Sequence, residues 1–299
     1  MLSVHLGCGQ ITWPVEASED EVLEDIRKAE YEGAPWGFDL GRGRGDSSRP
    51  AKEIEAVLSR HELRPAPGFL WGDFWESERR PEFVSLAHRY AEVSAALGLR
   101  ELYVAAGGFD RVMPSGRTRR QAAGHATTGD SLPDAEFHEL VEGLHAVAAA
   151  TMEHGVRSCY HNHVGTVVET EQEIEAMLAM SDPDLVWLGP DTGHLAWAGV
   201  DVVPFCERHA ERIKTMHIKD VNADVRDRGS AAGWDYATFS DSGVWTEIAT
   251  GCVDFAKMFA VLSSHDFSGW LVVETDVTQL SSPLESATVS RRNLRRFAL

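Results

Sequence analysis

The sequence predicts a (β/α)8 barrel, also called a TIM barrel, running as a single domain over residues 1–299. Strand-like and helix-like segments alternate from one end to the other, and eight of the strand-like segments can be counted. No low-complexity linker or shift of composition divides the chain, and 299 residues is an ordinary length for one such barrel. An open doubly wound sheet is the structural alternative, but no Gly-rich dinucleotide loop follows the first strand.

The N-terminus, Met1-Leu2-Ser3-Val4-His5-Leu6, lacks a basic region followed by a long apolar stretch, so it reads as a buried first strand and not as a signal peptide. Strands are expected near Val4–Gln10, Gly37–Gly41, Arg64–Leu70, Glu101–Ala106, Val156–His163, Leu185–Asp191, Ile213–Lys219 and Trp270–Thr275. Several are short apolar runs, as strands buried on both faces should be. Ser18 and Glu21 form a capping box ahead of Val22, Ile26 and Ala29, and Gly33 is the expected stop. Pro81 opens a helix on which Phe83, Leu86, Tyr90, Val93 and Leu97 make an apolar stripe that Gly98 ends. A second stripe of Phe137, Leu140, Val141, Leu144, Val147 and Ala148 closes at Gly155, and Thr170 with Glu173 caps the next helix. Two long mouth-side segments, Gly107 to Leu132 and Val221 to Thr250, read as loops of the kind that form lids or dimer contacts.

The formal charge of −19, from 47 acidic and 28 basic side chains, argues against a nucleic-acid partner. No run of about 18 apolar residues marks a membrane span. Cys8, Cys159, Cys206 and Cys252 are scattered without a CxxC pair, which points to a reduced, cytoplasmic protein.

Chemistry in such a barrel sits where strands end at the C-terminal face. Four of those ends are rich in metal-ligand residue types: Tyr160-His161-Asn162-His163, Asp191-Thr192-Gly193-His194, His217-Ile218-Lys219-Asp220 and Glu274-Thr275-Asp276. Alternation along a strand sets His217 and Lys219 on one face, and His161 with His163 likewise. The interval from Asp191 to His217 is close to the ~30 residues of one βαβ unit. Glu274 ends a very apolar strand, where a carboxylate needs a partner or an ion. An isolated Asp-Thr-Gly is commonly only a turn, and a lone strand-end His is commonly only hydrogen-bonded. Four such ends in register favour a metal site.

The chain resembles the xylose isomerase-like sugar isomerase/epimerase barrels, and among them the inosose dehydratase-like branch. Ile11-Thr12-Trp13-Pro14, the segment His163 to Thr170, Asp191-Thr192-Gly193-His194, His217-Ile218-Lys219-Asp220, Gly251-Cys252-Val253-Asp254-Phe255 and Gly269 to Glu274 carry the likeness. The resemblance implies that Asp191, His217 and Glu274 bind a divalent ion. It also implies a Glu as fourth ligand at the end of the fifth strand, where this chain has His161; either His161 or Glu169 takes that role. Glu169 reads equally as compensation of a helix dipole. By the same resemblance Trp13, His161, His163, His194 and Lys219 line the substrate pocket, with His163, His194, Lys219 and Glu274 as the catalytic set. For Lys219 the bland alternative is a salt bridge to Asp220 or Asp191.

A divalent ion chelated by a ketone and its neighbouring hydroxyl acidifies the shared C–H and stabilises an enediolate. Dehydration of a keto-inositol is the reaction implied most directly, with isomerisation or epimerisation of a sugar as the alternative. Mixed N/O ligation admits Mn2+, Co2+, Mg2+ or Zn2+, with Mn2+ expected first. Trp13, Phe38, Trp71, Trp75 and Trp197 offer flat faces for sugar C–H bonds. Arg111, Arg117, Arg119 and Arg120 stand ready for an acidic or phosphorylated substrate, although a solvated loop is their commoner fate. Three rivals remain: an endonuclease IV-like DNA-repair enzyme, which the charge disfavours; a non-catalytic sugar-binding protein; and a subunit of a carbon-glycoside-cleaving complex. A homo-oligomer built through the mouth loops is a further expectation.

Overall fold

In the computed structural model, residues 2–37 and 49–299 are described, and their parallel strands close into a barrel. The barrel strands are β1 (Ser3–Cys8), β2 (Gly33–Pro35), β3 (Arg64–Ala66), β4 (Phe69–Gly72), β5 (Glu101–Ala106), β6 (Arg157–Tyr160), β7 (Val186–Leu188) and β8 (Met216–Ile218). A small antiparallel pair, β9 (Asp220–Val221) and β10 (Trp245–Thr246), sits at the mouth, and β11 (Ser268–Val273) completes the ring between β1 and β8.

Hydrogen bonding divides the ring into two arcs, β3-β2-β1-β11-β8 and β4-β5-β6-β7. The first junction is the single expected strand 64–70, which breaks into β3 and β4 around Pro67 and Gly68. Proline supplies no N–H to a ladder, and a Cβ on Gly68 would lie 2.8 Å from the Trp36 indole. The second junction is held by two parallel bridges, Leu188 with Ile213 and Asp191 with His217. Counting β3 and β4 as one interrupted strand gives the eight positions that the alternation predicts.

Helix α1 (Glu19–Lys28) is capped by Ser18, whose hydroxyl accepts the Glu21 N–H. It stops at Lys28, with Glu30 taking the left-handed turn (φ 66°), and not at Gly33. Gly33 belongs to β2, because a side chain there would press on Trp270 at 2.7 Å and on the Arg64 carbonyl at 2.5 Å. The second strand therefore precedes the expected 37–41, of which Gly37 is in a turn and 38–41, Phe38 included, lies outside the described residues.

Helix α2 (Ala51–Arg60) follows, then α3 (Arg80–Ala96) with Pro81 in its first turn and Gly98 beyond its end at φ 77°. A short α4 (Arg119–Ala122) precedes α5 (Asp134–Met152), which buries Leu140, Val141, Leu144, Val147 and Ala148, and α6 (Glu171–Met180) carries the expected Thr170/Glu173 capping box. Next come α7 (Thr192–Trp197), α8 (Val202–His209), α9 (Ala223–Ala232), α10 (Tyr236–Asp241), α11 (Phe255–Ser264) and α12 (Pro283–Leu294). The two segments expected as loops are thus folded, by α4 in one case and by α9, α10 and the β9–β10 pair in the other. Their apolar residues explain it: Val225, Phe239 and Trp245 are all buried.

Inside the barrel, Tyr103 reaches across to Thr215, hydroxyl to hydroxyl at 2.7 Å, and its ring packs edge-on beneath His217 at 4.2 Å. That contact sets the floor of the mouth. No helix among the described residues is long and apolar enough to cross a membrane, and the four cysteines are free thiols.

Candidate active site

Each residue of Asp191-Thr192-Gly193-His194 has a separate task. Asp191 caps α7 through Oδ1, which accepts the His194 N–H at 2.9 Å, and this turns Oδ2 toward the barrel axis. Thr192 clamps the backbone of Lys219, donating to its carbonyl and accepting its N–H at 2.7 and 2.8 Å. Gly193 leaves room for the Lys219 stem, since a Cβ there would stand 2.7 Å from the lysine Cβ. His194 lays its ring 3.6 Å from that of His163. Asn162 fixes Asp191 from below, accepting its N–H and donating to its carbonyl.

Strand alternation brings His217 and Lys219 to the same side, as expected. His217 Nδ1 lies 3.1 Å from Glu274 Oε2 and 3.9 Å from Asp191 Oδ2. Lys219 Nζ is 3.3 Å from both Asp191 Oδ2 and Glu274 Oε2, and 2.5 Å from Asp276 Oδ1. The Trp245 ring lies 4.8 Å from the same ammonium. Lys219 thus pairs with Asp191, as the bland reading allowed, but also with Glu274 and Asp276. Asp220 faces elsewhere and accepts the N–H groups of Gly251 and Val253, tying down the Gly251–Phe255 segment. Gly9 gives Glu274 its space, because a Cβ there would be 2.2 Å from Oε1.

Burial opposes the Lys219 ammonium, but Asp191, Asp276 and Glu274 outweigh it and hold its pKa well above the ordinary lysine value. Burial likewise works against the Glu274 carboxylate, yet His217 and Lys219 pull it down to about 2. Burial raises Asp191, and lowers His163 to about 3 and His161 and His194 well below the usual imidazole value. The three histidines are therefore neutral at pH 7.

Ligand atoms of Asp191, His217 and Glu274 lie within 4.8 Å of one another. Glu274 Oε1 and His217 Nε2 are buried without a hydrogen-bond partner, and Asp191 Oδ2 and His217 Nδ1 meet Lys219 and Glu274 as ion pairs only. Buried polar atoms left in that state are costly unless something else binds them, and this donor set suits a divalent cation.

Of the two expected fourth ligands, His161 lies in the cluster, with Nε2 4.0 Å from Asp191 Oδ2 and an unpartnered, buried Nδ1. Glu169 does not. Its carboxylate accepts the N–H of Gly124 at 2.8 Å and of Gly165 at 2.6 Å, and it faces Arg119 at 3.5 Å. Trp13 is also drawn away, its indole N–H donating to Asp25 on α1 at 3.2 Å. The small pocket is walled instead by Ile11, Phe69 and Trp71, with His163, Lys219 and Asp276 among its polar groups. Trp197 packs behind His194 against Trp245, and Trp75 lies outside this wall. The loop arginines are engaged, Arg111 with Glu136, Arg117 with Asp130, Arg120 with Asp110 and Arg119 with Glu173. Phe69, Asn162 and Tyr236 had no assigned role on sequence. Asn162 sits inside a quoted strand end, so the signal was the neighbourhood and not the residue.

Comparison with known proteins matches residues 23–297 to a family model described as xylose isomerase-like TIM barrel. The chain belongs to this family. An inosose dehydratase from Geobacillus kaustophilus is 32% identical over 259 residues, which cover 87% of this chain and 80% of that one. Another from Halalkalibacterium halodurans is 35% identical over 160 residues, about half of each chain at 53%. Among solved structures, the 3-keto-D-glucoside 4-epimerase of E. coli superposes with a TM-score of 0.68 at 15% identity, covering 98% of this chain and all of that one. A probable 3-DHS dehydratase involved in petrobactin synthesis in Bacillus anthracis gives 0.69 at 14% identity, covering 99% of each chain. At such identities these two structures share the fold with this xylose isomerase-like barrel.

Proposed function

We propose that this sugar-processing enzyme is a metal-dependent lyase that dehydrates a keto-polyol of the inosose type. Asp191, His217 and Glu274 hold a divalent ion, with His161 as fourth ligand and Mn2+ the first to test. When bound, the ion polarises a ketone and its neighbouring hydroxyl and so acidifies the C–H between them.

The protein's own groups supply the proton traffic. His163 Nδ1 is 2.7 Å from the Val164 carbonyl, an acceptor only, so Nδ1 carries the hydrogen and Nε2 presents a bare lone pair. His194 has the opposite tautomer, because its Nδ1 accepts the Val164 N–H at 3.2 Å and its hydrogen is on Nε2. Val164, through its carbonyl and its N–H, therefore fixes an acceptor and a donor side by side. His163 takes the proton from carbon, and the electron pair of that C–H becomes the new double bond. The β-hydroxyl leaves as water with the proton that His163 removed from carbon, while the His194 Nε2–H and the Lys219 ammonium steady it as hydrogen-bond donors. Lys219, charged and held by three carboxylates, remains beside the oxygen on which negative charge develops.

The observation that carries this reading is the set of buried, unpartnered ligand atoms next to two imidazoles of fixed, opposite tautomer. A two-base epimerase is less well supported, because His161 stands where a second metal-bound carboxylate would be needed. The commitment of the four loop arginines to carboxylates favours an uncharged substrate over a phosphorylated one. Free thiols support a cytoplasmic setting. The test is a screen of keto-inositols and ketoses with Mn2+, Co2+, Mg2+ or Zn2+ added, reading both unsaturated product by ultraviolet absorbance and stereoisomer exchange. Dehydration that disappears with chelator is expected. Silence across the panel with every metal would remove the proposal.

A further inference from the structure

Arg119 comes from a segment that reads on sequence as a solvated loop, yet it is fully buried. Each of its three nitrogens donates. Nε donates to the Thr166 carbonyl, one terminal nitrogen to the Asp130 carbonyl at 2.6 Å and to Glu173 Oε1 at 3.0 Å, and the other to Glu173 Oε2 at 3.0 Å. Glu173 in turn accepts the N–H groups of Glu169 and Thr170, each at 2.9 Å. Glu169 stands 3.5 Å from the guanidinium and binds Gly124 on one side and Gly165 on the other.

Those contacts converge on one ring. Thr166, held by Arg119, returns its hydroxyl to the His163 carbonyl at 2.8 Å. Phe109 from the Arg119 segment meets the His163 ring edge-on at 5.3 Å, and Tyr236 of α10 lies parallel to it at 6.1 Å. The α9–α10 segment is fastened to the Arg119 segment by Ser230 to the Gly124 carbonyl at 2.9 Å and by His125 to the Trp234 carbonyl at 2.8 Å. Three mouth segments thus meet around Arg119, and all three touch or carry His163. A buried ion network is a poor source of net stability, since well-packed apolar side chains do as well. A planar five-donor fork does fix direction, which a lysine point charge does not.

We infer that Arg119 is a positioning residue for His163: through Thr166 and Glu169 it holds the turn that fixes the His163 tautomer and aims Nε2 into the pocket. The inference rests on His163 acting on substrate, as proposed above, and its test separates the two. Arg119→Lys and Glu169→Gln are compared with the wild-type chain, metal-loaded and well below each protein's Tm. With a dehydrated keto-polyol, kcat should fall ~10²-fold in Arg119→Lys and ~10-fold in Glu169→Gln. KM should stay within about threefold and the Mn2+ Kd should not move, because neither residue reaches Asp191, His217 or Glu274. Independently of any substrate, 15N spectra of histidine-labelled protein should show a fixed Nδ1–H tautomer for His163 in the wild type and averaged tautomers in Arg119→Lys. A variant with lowered Tm but unchanged kcat would mark Arg119 as structural only. Should the wild type turn over no keto-polyol, the spectra decide alone, and an unchanged His163 tautomer in Arg119→Lys would overturn the inference.

Discussion

The cluster around Lys219 and the cluster around Arg119 are both sealed from water and both rich in carboxylates, yet they are finished differently. Around Arg119, every nitrogen of the guanidinium donates to an acceptor, and the facing carboxylates also collect backbone N–H groups. Around Lys219, Glu274 Oε1, His217 Nε2 and His161 Nδ1 lack any hydrogen bond, and Asp191 Oδ2 and His217 Nδ1 have ion-pair contacts only. A satisfied network rigidifies what it touches; an unsatisfied one keeps its bonding capacity for something that arrives later. The contrast separates a satisfied scaffold from the proposed reaction site without reference to any relative.

Changes at the mouth should break the contrast most sharply. Glu274→Gln is expected to lower kcat by ~10³-fold or more and to weaken Mn2+ binding, measured by steady-state kinetics and metal titration. Retained turnover would take Glu274 out of the mechanism. Glu173→Gln should do the opposite, costing about 3–5 kcal/mol in urea unfolding while the Mn2+ Kd stays put. An altered metal affinity there would dissolve the distinction between the two clusters.

Next in size is the acid sensitivity of the metal-free protein. His161, His163 and His194 are held neutral by burial, with folded-state pKa values below the ordinary imidazole value, about 3 for His163. Below about pH 6.5 the unfolded chain takes up protons that the folded chain refuses, so stability falls with pH from there toward the folded-state values. Between pH 7 and 5 His163 should cost about 2 kcal/mol, and His161 and His194 act in the same direction. Asp276, raised to about 6 by burial against the pull of Lys219, acts in the reverse sense and offsets part of this. Glu169, raised to about 7 by burial, offsets a further part; urea midpoints should be lower at pH 5 than at pH 7, and a higher midpoint at pH 5 would mean that the histidines are not buried neutral. Asn162→Ala, which frees the backbone of Asp191, should weaken Mn2+ binding by ~10–100-fold. Arg120→Ala, which breaks a solvated pair with Asp110, should change stability by less than about 1 kcal/mol.

The sequence made the strand ends legible because a barrel converts chain order into position. A residue at the C-terminal end of a strand is at the mouth whatever its distant neighbours are. That logic located Asp191, His217, Lys219 and Glu274 together, and it also located His161, His163 and His194. It could not foresee Trp13 or Glu169, whose directions depend on single partners, Asp25 and the Arg119 group, in other segments. Gly33 misled for a related reason: the same residue type ends helices and permits close packing beneath an indole, and only the position of Trp270 decides between them. Arg119 was hardest to read, because a charge in a polar stretch gives no hint of which backbone carbonyls will enclose it.

The two-arc ring has a thermodynamic consequence. Asp191 belongs to the arc of β4 to β7, whereas His217 and Glu274 belong to the arc that contains β8 and β11, and across that seam, among the described residues, only Leu188–Ile213 and Asp191–His217 form ladder bridges. A cation gripped from both sides would act as a rivet over this join. Its affinity then adds directly to resistance against unzipping, by RT ln(1 + [M]/Kd), so the concentration of free ion would tune how readily the cylinder opens.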